Sequence, residues 1–259
     1  MSRDFVTEIG INVLSCAPWV MFWPQRTLDE IRNAGYRGLQ VCPVRGLRLK
    51  HLTDCGLPIW SLEYPWHHSP GDRRRWRYKL RDQVLFQWRQ AAVNFCRAID
   101  EWPVDPIVHQ LEELDDECRY LLEVTPDLGL TVQQIADYWP QTGLVIDTAK
   151  LRLPAGRFEK NQHPSPLGDW QDSLPALLAT KRVTMLHVAP ARHNQDELSD
   201  CLEGRSTELA AMLNIIKHSG WRGPAIVEAT LGRHTHNWLT LRRDLIHFHS
   251  WVERHLCDC

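Results

Sequence analysis

A chain of 259 residues with 43% hydrophobic and 24% charged residues has an ordinary globular composition and is long enough for one large domain. The formal charge of −2 gives no overall attraction to nucleic acid or anionic membranes, so any such affinity must come from a local patch. No apolar run approaches the roughly 20 residues of a membrane helix, and residues 1–8 do not resemble a secretory signal. The eight cysteines are mostly scattered, which favours reduced thiols in a cytoplasmic protein.

Predicted strands and helices alternate along the chain. In order, the strands are expected at residues 9–14, 36–41, 58–62, 106–109, 120–124, 143–147, 184–188 and 225–228. Helical patterns follow most of them, at residues 27–33, 72–99, 112–119, 131–138, 172–179, 207–219 and from 237 to the end, with Thr27 as the expected cap of the first. Strands joined by helices imply parallel pairing. The sequence therefore predicts one α/β domain over residues 1–259, a (β/α)₈ TIM barrel, with a doubly wound open sheet as the rival.

Four consecutive predicted strands end on a residue that could bind a divalent cation, namely Glu123, Asp147, His187 and Glu228. The carboxyl ends of barrel strands meet at one mouth, where active sites are built, so these side chains are expected to converge. Three carboxylates and one imidazole suit Mn²⁺, Mg²⁺, Co²⁺ or Zn²⁺ in an open catalytic site. A single acid at a strand end could equally cap a neighbouring helix, but four such residues in succession favour a metal site.

Other polar and aromatic residues are expected at the same mouth. Glu63, Trp66 and His67 follow strand three and could line a polar pocket with aromatic walls. His109 ends strand four, and Arg192 follows strand seven, where it could hold a substrate hydroxyl or carboxylate. An ordinary rim histidine and a surface arginine would explain these last two residues as well.

The sequence resembles the xylose isomerase-like TIM barrels, the group of sugar phosphate isomerases and epimerases and of barrels like the AP endonucleases of family 2. The resemblance covers about residues 8–231 and is carried by the segments Ala34–Leu39, Leu122–Glu123, Leu144–Thr148, Leu186–Val188 and Gly220–Glu228, of which the last is the most specific. It implies that the four strand-end residues bind one divalent metal. It also implies that Glu123 and Glu228 flank the substrate and move its proton.

Two positions depart from the pattern of the family. Lys150 stands where a histidine is common, and Pro190 stands where an aspartate is common. The Asp-x-His pair that supplies an extra metal site in the endonuclease branch is not visible between His187 and Glu228. These differences argue against a trinuclear zinc nuclease. Lys150 is a substrate-binding candidate that could hold a substrate oxygen or an anionic group, which would suit an acidic or phosphorylated substrate.

The sequence and the resemblance together predict a metal-dependent isomerase or epimerase of carbohydrate metabolism. It would act on a sugar or small hydroxy-carbonyl compound through an enediolate, with Glu123 and Glu228 as base and acid. One divalent metal and a small-molecule substrate are expected, without nucleic acid or membrane, and a homo-oligomer is left open. The first alternative is a hydrolase of damaged DNA, favoured by the basic run Arg73–Arg77. The second is a non-catalytic barrel that binds a small molecule or a partner protein, favoured by Lys150 and Pro190.

Overall fold

The strands of the protein close into a barrel. The computed structural model describes residues 7–41, 44, 46–63, 108–111, 119–126, 129–138, 143–153, 164–191, 195–205, 207–232, 235 and 237–257. The strands pair in chain order, and the last returns to the first. They are β1 (Glu8–Asn12), β2 (Leu39–Val41), β3 (Ile59–Glu63), β4 (Val108–Leu111), β5 (Arg119–Val124), β6 (Gly143–Asp147), β7 (Val183–Val188) and β8 (Pro224–Val227). The predicted barrel is confirmed, and the open sheet is wrong.

The helices of the described residues pack their apolar faces on this barrel. They are α1 (Trp19–Phe22), α2 (Pro24–Asn33), α3 (Leu49–Cys55), α4 (Val132–Tyr138), α5 (Trp170–Ala179), α6 (Gln195–Leu202), α7 (Glu208–His218) and α8 (Trp238–Leu256), with 3₁₀ turns at Val13–Cys16 and Lys150–Arg152. In α8, Leu241, Leu245, Phe248 and Val252 are buried, at the spacing of one helix face. Within the described residues, no helix has the length and apolar character needed to cross a membrane.

One strand departs from the expected parallel arrangement. β4 runs antiparallel to both β3 and β5, whereas the remaining neighbours in the barrel are parallel. The prediction of parallel pairing is therefore wrong for β4, because an apolar run does not encode the direction in which its strand runs. The backbone of His109 lies near the start of β4, level with Glu63 at the end of β3.

Two element boundaries near the N-terminus also differ from expectation. The first strand ends at Asn12, because the side chain of Asn12 accepts a hydrogen bond from the backbone N–H of Leu14 and begins a 3₁₀ turn. The helix expected to start after Thr27 begins earlier, at Pro24, since proline fixes a backbone angle that suits the first helical position. Thr27 lies inside this helix and donates its hydroxyl to the carbonyl of Trp23 at 2.9 Å.

The inside of the barrel is closed below the mouth by apolar side chains. Leu121, Val145, Met185 and Ile226 form a buried cluster, against which Trp60 packs. Trp60 occupies space that Gly38 leaves open, because a Cβ atom at Gly38 would lie 2.0 Å from the indole ring. Each of these four buried residues precedes one of the candidate metal-binding residues by two positions. Because side chains alternate along a strand, the candidate residues also point into the barrel, one layer nearer the mouth.

Candidate active site

The strand alternation places a polar layer directly above this apolar floor. Glu123, Asp147 and His187 are buried, and each offers one ligand atom within 4.8 Å of the others. Glu228 lies beside them, with its Oε1 atom 3.4 Å from Nδ1 of His187. The carboxylate of Glu123 approaches the same ring nitrogen, with Oε2 at 3.9 Å. The four strand-end residues therefore meet at one point in the barrel.

A network of amide side chains holds His187 and Glu228 in place. Nε2 of Gln40 donates to Oε1 of Glu228 at 2.9 Å, and Nδ2 of Asn12 donates to the same oxygen at 2.8 Å. Oε1 of Gln40 accepts from the hydroxyl of Ser61 at 3.0 Å and lies 2.9 Å from Nε2 of His187. Because the amide oxygen of Gln40 can only accept, Nε2 is the protonated nitrogen of the ring. Nδ1 is then the unprotonated ring nitrogen, and it faces the carboxylates of Glu123 and Glu228.

Asp147 shapes the turn that follows its strand. Its Oδ1 atom accepts hydrogen bonds from the backbone N–H groups of Ala149, at 2.8 Å, and Lys150, at 3.1 Å. A side chain that binds the backbone two and three residues later starts a tight turn, here the 3₁₀ turn Lys150–Arg152. The other oxygen, Oδ2, is directed to the interior of the site, 3.4 Å from Nζ of Lys150.

Arg152 fixes this turn to the surrounding loops. Its guanidinium contacts both carboxylate oxygens of Glu197, at 2.8 and 3.0 Å, and donates to the carbonyls of Thr148 and Ala189. The Arg152 and Glu197 side chains are only 5% and 4% exposed. A buried pair with these additional hydrogen bonds is a rigid anchor, so Lys150 starts from a well-defined backbone position.

The ammonium group of Lys150 lies among the carboxylates of the site. Nζ is in direct contact with Oε1 of Glu123, in addition to its ion pair with Asp147. Burial alone would lower the pKa of Lys150, but the charges of Glu123, Asp147 and Glu228 outweigh it and raise this pKa above its ordinary value. Lys150 is therefore a cation within the site.

The carboxyl group of Glu228 has a strongly altered protonation equilibrium. Burial, followed by the negative charge of Asp147, raises the pKa of Glu228 to about 7. The charge of Lys150 and the hydrogen bond from Asn12 act in the opposite direction but do not cancel the shift. Glu228 can therefore both take up and release a proton near neutral pH.

The comparisons with known proteins bear on the fold. No protein-family model matches the chain, and no curated protein sequence does. A solved D-allulose 3-epimerase from Methylomonas sp. is 14% identical, with a TM-score of 0.56, over 99% of this chain and 100% of that one. The D-psicose 3-epimerase of Clostridium cellulolyticum is 11% identical, with a TM-score of 0.54, over 98% and 100%. A xylose isomerase-like TIM barrel/4-hydroxyphenylpyruvate dioxygenase fusion protein is 14% identical, with a TM-score of 0.51; the match covers 95% of this chain but only 42% of that protein. This chain shares the TIM-barrel fold of these proteins.

The donor chemistry of this TIM barrel fits one divalent cation. Two carboxylates and the Nδ1 atom of His187 converge, and Gln40 holds the other ring nitrogen as metal-binding histidines usually require. Oxygen donors together with one imidazole suit Mn²⁺, Mg²⁺, Co²⁺ or Zn²⁺. The ammonium of Lys150 touches two of the same donor residues.

For the remaining predicted site residues, the structure describes at most the backbone. The backbones of Glu63 and His109 pair across β3 and β4. Trp66, His67 and Arg192 lie outside the described residues, as do the basic run Arg73–Arg77 and the helix predicted over residues 72–99.

Three polar residues of the site were not among the predicted ones, namely Asn12, Gln40 and Ser61. All three are buried, and all contribute to the network around Glu228 and His187. The signal that could have found them is a polar residue within or at the end of an otherwise apolar strand. Such a residue needs a buried partner, because an unsatisfied polar group in the interior is costly.

Proposed function

We propose that this protein is a metal-dependent isomerase or epimerase of a sugar or related small hydroxy-carbonyl compound. The observation that supports the proposal best is the convergence of Glu123 and Glu228 on His187, beside a third carboxylate, in one buried cluster. Two carboxyl groups close to a cation site can serve as the general base and general acid that move a proton at a carbon next to a carbonyl group. The solved epimerases with the same fold support this reaction class.

In this proposal, Glu123, Asp147 and His187 hold the cation, and Glu228 completes the set. A divalent cation bound there would supply a Lewis acid for the negative charge that develops on the substrate oxygens. Asn12 and Gln40 keep the carboxylate of Glu228 oriented through the hydrogen bonds described above. Gln40 also fixes the ring of His187, so the protein supplies a largely preorganised site.

The two glutamates act as base and acid. One carboxylate takes the proton as the C–H bond next to the carbonyl breaks, which leaves an enediolate. The other glutamate, in its protonated form, then delivers a proton to carbon, and the new C–H bond completes the isomer or epimer. Their environments differ: Glu228 accepts from two amides, whereas Glu123 contacts an ammonium group. A pKa of about 7 suits Glu228 to exchange protons at neutral pH.

The proposal assigns substrate binding to Lys150 and to five further residues. Lys150 would hold a substrate oxygen or an anionic group, since its charge is already present at the site. Glu63, Trp66, His67, His109 and Arg192 complete the proposed set. A role in carbohydrate metabolism belongs to the same proposal. So does a cytoplasmic location, which is supported by the buried reduced thiols of Cys16, Cys55 and Cys201.

Proton exchange in D₂O tests the proposed function. The protein is incubated with Mn²⁺ and the ketoses D-allulose, D-tagatose or L-ribulose, and NMR follows the loss of the proton next to the carbonyl. We expect exchange with at least one sugar and a loss of about 10²–10⁴-fold in Glu228→Gln, the usual contribution of a positioned acid or base. Glu253→Gln, at an exposed position of α8, is the matched control and should exchange at the wild-type rate.

Two results would count against the proposal. Exchange at the wild-type rate in a folded Glu228→Gln variant would remove Glu228 from the reaction. A complete lack of exchange across a panel of ketoses and hydroxy acids, with metal present, would favour the alternative of a non-catalytic barrel that binds a small molecule.

A further inference from the structure

The position of Lys150 bears on how a metal could enter the site. Nζ contacts Oε1 of Glu123 and lies 3.4 Å from Oδ2 of Asp147, so the ammonium bridges two of the three residues in the donor cluster. The backbone of Lys150 is held by the Asp147 side chain at 3.1 Å, and the side chain is 13% exposed. The positive charge therefore reaches the carboxylates from a fixed point at the end of β6.

We infer that the Lys150 ammonium is a tethered cation that occupies the cation position of the site and must move toward the mouth before a divalent metal can bind. This inference rests on the metal site of the proposed function and adds a competitor to it. The ammonium group that competes with the metal belongs to the chain itself. Its effective concentration at the site is therefore set by the fold and not by the composition of the solution.

Charge balance explains why an ammonium is stable in this position. Glu123, Asp147 and Glu228 bring three carboxyl groups into one buried cluster. At a separation of 4 Å, two like charges repel by about 4 kcal/mol even at an effective dielectric constant of 20. An ammonium between them offsets this repulsion, and its ion pairs replace the water that burial removes.

The same geometry makes the ammonium and a metal mutually exclusive. Carboxylate oxygens bind zinc-like cations at about 2.0–2.2 Å, which leaves no room for an ammonium in contact with the same oxygens. The two positive charges would also repel each other. Metal binding therefore requires that Nζ leave Glu123 and Asp147. The apparent metal affinity is then the intrinsic affinity multiplied by the fraction of time that the site is free of the ammonium.

The Lys150 side chain can move outward when a metal displaces it. Its partial exposure leads toward the mouth of the barrel, where substrate must enter. A bound metal would thus present the ammonium to the substrate, where it could contact an anionic group. One residue would then serve the metal-free state as a counter-ion and the metal-loaded state as a substrate contact.

Metal affinity in Lys150→Met tests the inference. Methionine keeps most of the side-chain length and removes the charge. The wild type and the variant are stripped with a chelator and titrated with Mn²⁺ by calorimetry. If the ammonium fills the site at least 90% of the time, its removal tightens Mn²⁺ binding at least about tenfold. Lys181→Met, in the exposed turn before β7 at the opposite end of the barrel, is the control and should bind as the wild type does.

Two further measurements keep the test decisive. If Lys150→Met does not fold without metal, Lys150→Gln is titrated in its place. In thermal melts, the uncharged variant should lose stability in chelator and gain more from 1 mM Mn²⁺ than the wild type gains, because a ligand stabilises in proportion to its binding free energy. Mn²⁺ affinity in both uncharged variants equal to or weaker than that of the wild type would overturn the inference.

The inference and the proposed function fail in different ways. If only the uncharged variants bind Mn²⁺, the inference holds and metal-dependent turnover by the wild type is excluded. If sugar proton exchange requires Mn²⁺ but removal of the charge leaves Mn²⁺ affinity unchanged, the function stands and the inference falls.

Discussion

Replacement of Gln40 by methionine should weaken both the fold and the proposed metal site. Gln40 is fully buried, and its amide joins Glu228, Ser61 and His187 within 2.9–3.0 Å. Methionine fills a similar volume but offers none of these hydrogen bonds. The perturbation is therefore electrostatic rather than a loss of packing.

The size of the effect follows from the three contacts that are lost. A buried polar group that loses its partner costs about 1–3 kcal/mol, so three such groups give roughly 3–9 kcal/mol. Glu228 keeps its hydrogen bond from Asn12, which favours the lower half of this range. Loss of the residue that orients a metal-binding histidine also weakens metal affinity by about 10–100-fold.

Urea unfolding in chelator and Mn²⁺ titration measure the two effects separately. Gln133→Met is the matched control, because Gln133 is exposed on α4 and donates to Asp137, one turn further along the same helix. The control should change stability by no more than about 0.5 kcal/mol. A Gln40→Met variant that loses less than about 1 kcal/mol, or that binds Mn²⁺ as the wild type does, would refute the role assigned to Gln40.

Three more predictions concern protonation and packing. Because the pKa of Glu228 is raised to about 7, the folded state holds this proton more tightly than the unfolded state, so stability in chelator should fall between about pH 4.5 and 7. The free energy of unfolding of the wild type, measured relative to that of Glu228→Gln, should fall by roughly 3 kcal/mol over this range. A difference between the two proteins that does not change with pH would contradict the prediction. Glu197→Gln should cost about 3–5 kcal/mol in urea unfolding, since it removes the buried counter-ion of Arg152 and leaves the guanidinium with the exposed carboxylate of Glu208, 3.4 Å away; a stability equal to the wild type would contradict it. Gly38→Ala should cost about 1–3 kcal/mol through overlap with Trp60, and an unchanged melting temperature would show that the ring can move freely.

The fold could be predicted because each strand carries its own local signal. β6 and β7 are largely apolar runs that carry Asp147 at the last position and His187 at the last but one, and the period of two fixes which side chains enter the barrel. The direction of β4 has no such signal, so it was predicted as parallel and is antiparallel. Element existence follows from local composition, whereas direction depends on the whole chain.

The site was predictable in part for the same reason. The four strand-end residues were candidates because they share a place in the strand pattern. The role of Gln40 depends on contacts with His187 in β7 and with Glu228 just after β8. These residues lie 147 and 188 positions away along the chain, which no local pattern reveals. The sequence shows that Lys150 follows Asp147 by three positions, but its contact with Glu123 depends on a turn that the Asp147 side chain creates.

Metal stoichiometry is the most direct test of the central claim that the strand-end cluster is a cation site. Wild type, Asp147→Ala and His187→Ala are stripped with a chelator, dialysed against saturating Mn²⁺ and analysed for bound metal, with circular dichroism to establish that each is folded. We expect about one Mn²⁺ per chain in the wild type and none in either folded variant, since each loses one of three converging donors. A wild type that binds no Mn²⁺, or variants that bind as much as the wild type, would contradict the claim.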